Sequence, residues 1–132
     1  MKVIEGKGVA LGMLASFVAK EALRGEEINV INCNQVIISG NYKMIKKEFE
    51  EKRSRFGHSQ KGPKHPATSE KIVKRTIRGM LPNFRVGRGS EAFKRIKCFS
   101  QIPKEFQEVK PVVISKDRKI KYSEVKEFTK QK

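Results

Sequence analysis

The segment "SEKIVKRTIRGMLP", residues 69–82, carries the side chains best suited to binding chemistry in this chain. Its basic residues are spaced i, i+3, i+4 and i+7, which places them along one face of a helix: Lys71, Lys74, Arg75 and Arg78. The opposite face, predicted to pack on a sheet, carries Val73, Thr76, Ile77 and Met80. A row of cations matches a row of phosphates, and arginine adds bidentate contacts that lysine cannot make. The alternative is an ordinary solvated amphipathic helix.

Basic loops are predicted on both sides of this helix, over residues 56–68 and 82–90. Phe56 and Phe84 lie in or beside these loops and could either stack on unpaired bases or pack back into the core. Together, the helix, the loops and the following segment define the candidate RNA-binding residues, which are Lys61, Lys64, His65, Lys71, Lys74, Arg75, Arg78, Arg85, Arg88 and Lys94.

The distribution of charge points to the same part of the chain. The net charge is +16, yet residues 1–40 hold four basic and four acidic side chains, whereas residues 61–97 hold eleven and two. Such a surface repels itself, and a polyanionic partner relieves the repulsion. Nucleic acid is the expected partner. An anionic membrane is the rival, but no apolar run approaches the roughly 20 residues of a membrane span, so no membrane partner is expected.

The chemistry of the predicted helix favours structured RNA over a DNA sequence. Loops rich in glycine and proline allow close backbone approach to phosphates and limit the ordering entropy. The helix lacks the Asn and Gln side chains that commonly read base edges in duplex DNA. We therefore expect this surface to recognise backbone and shape rather than base sequence.

A glycine cluster near the N-terminus raises the alternative of a nucleotide-binding enzyme. The spacing Gly6-x-Gly8-x-x-x-Gly12 is one residue too long for a dinucleotide fingerprint, and no G-K-[ST] motif is present. We expect Gly6 and Gly8 to permit a tight turn and Gly12 to let the next helix approach the sheet closely. His58 and His65 do not have zinc-ligand spacing. Neither catalysis nor a metal, cofactor or small-molecule substrate is expected.

The cysteines and the N-terminus favour a cytoplasmic protein. Cys33 and Cys98 are far apart in sequence and are expected to be small core residues rather than a disulfide or metal ligands. The first glycine, Gly6, comes too early to leave room for the apolar stretch of a signal peptide.

Strands and helices alternate along the chain, which predicts a parallel sheet with helices on both faces. Hydrophobic periodicity and turn residues predict strands at 2–5, 28–33, 35–40 and 111–115. The same signals predict helices at 9–24, 41–55, 69–80, 90–99 and 123–130. Because no repeat or long linker divides the chain, residues 1–132 are expected to form one domain with a C-terminal extension over 107–132.

Several blocks in the predicted binding region resemble the large-subunit ribosomal protein thirteen family. They are "RTIRGMLP" (75–82), "G-S-x5-I-K-C-F" (89–99) and "IP" (102–103), preceded in family order by "LGMLASFVAKEALRG" (11–25), "VIISGN" (36–41) and "KGPKHP" (61–66). The resemblance spans about residues 3–106 and is of the archaeal or eukaryotic type. Met13 and Gln101 stand where the family usually has arginine and glycine, and the loop over 83–88 is longer than usual.

This resemblance implies a three-layer α/β/α fold with a mostly parallel sheet of about four strands. It also implies a non-catalytic constituent of the cytoplasmic large ribosomal subunit that binds ribosomal RNA, contacts neighbouring ribosomal proteins and joins early in assembly. The family's RNA contacts map onto Lys61, Lys64, Arg75, Arg78 and Arg88. The sequence leaves two alternatives: a free RNA-binding regulator of translation with the same fold and, less favoured, a nucleotide-dependent enzyme.

Overall fold

The computed structural model describes residues 1–54, 65–114 and 121–129. The α-helices in these ranges are α1 Leu11–Leu23, α2 Tyr42–Ser54, α3 Ser69–Gly79 and α4 Gly87–Lys94. The strands are β1 Lys2–Glu5, β2 Ile28–Ile31, β3 Ile37–Ser39, β4 Ile96–Cys98, β5 Val112–Val113 and β6 Tyr122–Glu124. Short 3-10 helices lie at Cys33–Gln35, Lys104–Phe106 and Val125–Phe128.

Four of the strands form a parallel sheet in the order β4-β2-β1-β5. Strand β2 is buried along its whole length, as an inner parallel strand covered on both faces should be. On one face, Ile4 and Val30 pack with residues of α1, α3 and α4. On the other, Val3 and Ile31 pack against Phe106. The predicted three-layer fold with a four-stranded parallel sheet is confirmed, although a 3-10 turn rather than an α-helix contributes Phe106 to the second outer layer.

The segment after α4 is a strand, and the predicted helix over 90–99 is wrong at both ends. Helix α4 begins at Gly87, and Ile96–Cys98 pairs with β2 as an edge strand. The amides of Ile28 and Phe99 donate hydrogen bonds to the carbonyls of Arg95 and Val30, at 3.0 and 2.8 Å. Without β4, one edge of buried β2 would leave its backbone groups unpaired, so pairing overrides the helical pattern. The second basic loop therefore ends at Val86 and not at residue 90.

The C-terminal helix predicted over 123–130 is also wrong within the described residues. Strand β6 pairs antiparallel with β3, with Ser123 opposite Ile38, so β3 lies outside the parallel sheet. The amide of Val125 then donates to the carbonyl of Val36 at 2.8 Å, and only a 3-10 turn follows. Val125 and Phe128 are buried. Pairing with β3 and burial of two apolar side chains stabilise this segment more than an isolated short helix would.

Helix α2 packs less deeply than predicted. Asn41 precedes it, and its side-chain oxygen accepts a hydrogen bond from the amide of Lys43 at 3.0 Å, as expected of a cap. None of the helix is fully buried, and Met44, predicted to face inward, is exposed. The helix is anchored by Phe49, whose ring stacks on Phe128 with centroids 5.2 Å apart.

The glycines near the N-terminus have structural roles, but not all of the predicted ones. Gly8 has a φ of +73°, which confirms the tight turn. A Cβ on Gly6 would lie 2.9 Å from Cγ2 of Val36, so the close approach occurs at Gly6. At Gly12 nothing lies within 4 Å of the Cβ position, and the residue is exposed on the outer side of α1. The prediction for Gly12 is therefore wrong, because the core-facing side of α1 is formed by Leu11, Leu14 and Ala15 and Gly12 lies away from it.

The two cysteines are free thiols. Cys33 is buried, as predicted for a core residue, whereas Cys98 on edge strand β4 is only half-buried.

Candidate nucleic-acid interface

Helix α3 is oriented by its apolar side. Ile72, Val73 and Ile77 are buried in the core, which leaves the predicted cationic side facing outward. Met80, predicted to face the core, is 44% exposed, and Leu81 is buried instead. The reason is that α3 ends at Gly79, so the helical period no longer applies to the two residues that follow.

The N-terminus of α3 is fixed by polar contacts to other parts of the fold. Ser69, predicted to cap the helix, lies in its first turn, and Thr68 occupies the capping position. The Ser69 hydroxyl donates to the side-chain oxygen of Asn34, and the Ser100 hydroxyl donates to Glu70 Oε2. Glu70 also places a carboxylate at the positive end of the helix dipole.

Glu70 gives this region a defined response to pH. Burial alone would raise the pKa of Glu70, but the hydrogen bond from Ser100, a backbone hydrogen bond and the charge of Lys71 outweigh burial and hold the pKa below its ordinary value. Because the folded-state pKa is the lower one, Glu70 stabilises the fold above its unfolded-state pKa. This stabilisation is lost as the pH falls through the folded-state pKa.

We therefore expect Glu70→Gln to reduce the free energy of unfolding at pH 7 by about 1 kcal/mol, the net value of one hydrogen bond. The difference from wild type should shrink as the pH falls from the unfolded-state pKa through the lower folded-state pKa, since the protonated acid resembles the amide. Urea denaturation at pH 7, 5 and 3 measures this. Glu48→Gln on exposed α2 is the control and should change stability by less than about 0.5 kcal/mol. An equal loss at every pH for Glu70→Gln would contradict the assignment.

Three of the outward cations of α3 form no ion pair with the described carboxylates. Lys71 is exposed, and Lys74, Arg75 and Arg78 are half-buried. In the described ranges, no salt bridge joins Lys71, Lys74 or Arg78 to a carboxylate. Their positive charge is therefore available to an anionic partner.

Three of the predicted cations lie close to two aromatic rings. The centroids of Phe84 and Phe93 lie 6.0 Å apart. Lys74 Nζ lies 4.8 Å from the centroid of Phe93. Arg78 Cζ lies 4.7 Å and Arg85 Cζ 5.4 Å from the centroid of Phe84. We call these five residues, Lys74, Arg78, Phe84, Arg85 and Phe93, the cation–aromatic cluster.

His65 and Arg75 do not belong to the cation–aromatic cluster. They line a groove of about 280 Å³ between α2 and α3. Lys52, which we did not predict, contributes a further cation to this groove, and the ring of Phe49 forms part of its wall. Arg53 of α2 donates a hydrogen bond to the carbonyl of Pro66 at 3.2 Å and so connects α2 to the segment before α3. The only sequence signal for Lys52 was its position in the basic last turn of α2.

The remaining predicted residues are dispersed or lie outside the described ranges. Arg88 is exposed in the first turn of α4 rather than in a loop. Lys94 is exposed and lines a separate cleft of about 560 Å³ beside β4, together with Arg95 and Lys97. Lys61, Lys64, Phe56 and most of the first basic loop lie outside the described residues.

This surface is suited to binding anions. Among the described residues, no helix combines the length and apolar character needed to cross a membrane. Nor do three or more His, Cys, Asp or Glu side chains in those ranges gather where they could hold a metal ion.

The fold and its charged surface define a class: a basic α/β protein with a parallel sheet, suited to a polyanionic partner. A sequence profile for Ribosomal protein L13 matches residues 1–105. Large ribosomal subunit protein uL13 of Methanosarcina barkeri is 41% identical over 116 residues, covering 87% of this chain and 81% of the relative. The protein of the same name from Methanocaldococcus jannaschii is 45% identical over 107 residues, covering 79% and 77%. That of Thermoplasma acidophilum is 37% identical over 110 residues, covering 83% and 79%.

The chain belongs to the ribosomal protein L13 family. It is therefore a structural protein of the ribosome, located in the cytoplasm, and not an enzyme. The family resemblance read from the sequence, of archaeal or eukaryotic type, is confirmed, and the relatives named here are archaeal.

Proposed function

We propose that this chain is a constituent of the large ribosomal subunit that binds ribosomal RNA and helps to hold neighbouring RNA helices together early in assembly. The observation that carries the proposal is the outward row of cations on α3, in which Lys71, Lys74 and Arg78 form no salt bridge with a carboxylate of the described residues. The names of the archaeal relatives, which place them in the large ribosomal subunit, support it. We propose that the whole chain acts as one domain, consistent with the packing of residues 121–129 on the N-terminal elements.

The binding residues proposed are those predicted from the sequence, with Lys52 added. Lys71 to Arg78 spans about 10 Å along a helix, so the row can meet consecutive phosphates. Arginine guanidinium groups bind phosphate oxygens in pairs, whereas lysines act as point charges. Side chains of this kind fix register on the backbone and carry little base information. Lys61 and Lys64 are proposed as further RNA-binding residues, and neighbouring ribosomal proteins are proposed as further partners.

The proposal predicts a strong dependence of RNA affinity on salt, because each phosphate contact releases condensed counterions. For about four or five contacts, affinity for a large-subunit RNA fragment should fall at least about a hundredfold between 50 and 200 mM salt. Filter binding or fluorescence titration at four salt concentrations measures the slope. An affinity that hardly changes with salt would contradict binding through phosphates.

Sedimentation of a cell extract tests the ribosomal location of that binding. The chain should travel with the large subunit after dissociation of whole ribosomes. Recovery mainly in the free, slowly sedimenting fractions would instead favour a regulator that acts outside the ribosome.

A further inference from the structure

We propose that Phe84 and Phe93 are positioning residues whose rings hold Lys74, Arg78 and Arg85 as a preformed phosphate-binding array and do not stack on RNA bases. The inference rests on the RNA-binding function proposed above and specifies how this part of the surface meets RNA, namely through the backbone.

The ring of Phe84 is already occupied by protein groups. Two guanidinium groups lie at 4.7 and 5.4 Å from its centroid, and the ring of Phe93 lies at 6.0 Å. These distances fall within the range of cation–π and aromatic-pair attraction. Phe84 is half-buried. A nucleobase stacking on this ring would compete with Arg78 and Arg85, the cations that attract the RNA.

A cation held over an aromatic ring can still bind phosphate. A guanidinium stacked on an aromatic face directs its N–H donors outward in its own plane, where they can pair with phosphate oxygens. The ring limits the motion of a long side chain before RNA arrives, so less conformational entropy is lost on binding. Lys74 over Phe93 gains the same restriction, at 4.8 Å.

The packing of α3, α4 and the turn between them brings the residues of the cation–aromatic cluster together. Lys74 and Arg78 are one turn apart on α3, Phe84 and Arg85 come from the turn after Pro82, and Phe93 comes from α4. Gly89, buried at the start of α4, lets that turn pack directly on the helix, because a Cβ there would lie closer than 3.0 Å to the carbonyl oxygens of Pro82 and Asn83. The rings are thus brought together without RNA.

A double-mutant cycle on Phe84 and Arg78 tests the inference. We expect Phe84→Leu to weaken binding of a duplex segment of large-subunit RNA about threefold, the size of one partly exposed cation–π contact. In an Arg78→Ala background the same change should have a clearly smaller effect, since one of its two cations is gone. Phe84→Tyr, which keeps an aromatic face, should restore wild-type affinity. Phe17→Leu is the matched control and should leave RNA affinity unchanged, because Phe17 is a partly buried ring on α1 that packs against the core.

A second measurement tests the mobility of the Arg78 side chain in the protein without RNA. The NMR relaxation of its Nε–H group should indicate a restricted side chain in wild type and a mobile one in Phe84→Leu. The circular dichroism spectra of the two proteins should be the same. A side chain equally mobile in both would overturn the positioning role. So would equal losses from Phe84→Leu in both backgrounds, or a loss confined to single-stranded RNA, which indicates base stacking. If the wild type does not bind RNA, both the proposed function and this inference are wrong. If the wild type binds RNA but the losses of affinity from Phe84→Leu and Arg78→Ala are additive, only this inference is wrong.

Discussion

Replacing Arg75 and Arg78 together by alanine is expected to weaken binding of a large-subunit RNA fragment about a hundredfold at moderate salt. Arg78 lies on the outward side of α3, and Arg75 lines the groove between α2 and α3. A hydrogen bond to a charged group contributes about 1.5–3 kcal/mol, and 1.4 kcal/mol corresponds to a factor of ten in affinity. The fold should survive, because alanine favours helix and the core side of α3 is unchanged. Incorporation into large subunits should drop in parallel.

Salt titration separates lost contacts from a general loss of charge. The double variant should lower the slope of log affinity against log salt by about two, one for each lost phosphate contact. The control is Lys20→Ala with Lys104→Ala, which removes the same charge from two exposed positions outside the proposed surface. At physiological ionic strength distant charges are screened within about 8 Å, so the control should lose less than about threefold. Equal losses in both variants, or normal incorporation of the Arg75 and Arg78 variant, would contradict the assignment of these two arginines.

The cationic side of α3 could be predicted because charge and periodicity are local properties. Lys71, Lys74 and Arg78 share one side in the sequence pattern and in the structure. The same holds for α1 and the buried strand β2, whose signals lie within a few residues of each other. The parallel sheet followed from the alternation of such elements.

Features that depend on distant partners could not be predicted. Ile96–Cys98 looks like the end of a helix until the open edge of β2 is known to require a partner. The groove at Arg75 forms because α2 lies beside α3, and the polar sequence of α2 does not predict this contact. The sequence left open whether Phe84 stacks on bases or packs in the core; its ring is half-buried and covered by Arg78 and Arg85. In each case tertiary packing, and not local propensity, decides the outcome.

The turn between α3 and α4 depends on a single glycine. Gly89 is buried, and a Cβ placed on it would lie closer than 3.0 Å to the carbonyl oxygens of both Pro82 and Asn83. Both obstructing groups are backbone atoms, which cannot rotate away as a flexible side chain could. Any larger residue therefore has to move either the start of α4 or the turn that carries Phe84 and Arg85.

Gly89→Ala is accordingly expected to lower the free energy of unfolding by about 3 kcal/mol, the upper part of the usual range for overpacking. For a domain of this size the melting temperature should fall by roughly 10 °C. Gly12→Ala is the matched control, because the Cβ position at Gly12 meets nothing within 4 Å and the residue lies in α1. It should raise stability by up to about 1 kcal/mol, since alanine favours helix over glycine. Thermal and urea denaturation of the two variants measure these opposite effects. A Gly89→Ala variant as stable as Gly12→Ala would show that the turn can shift at little cost, which would leave the positions of Phe84 and Arg85 unfixed by the fold.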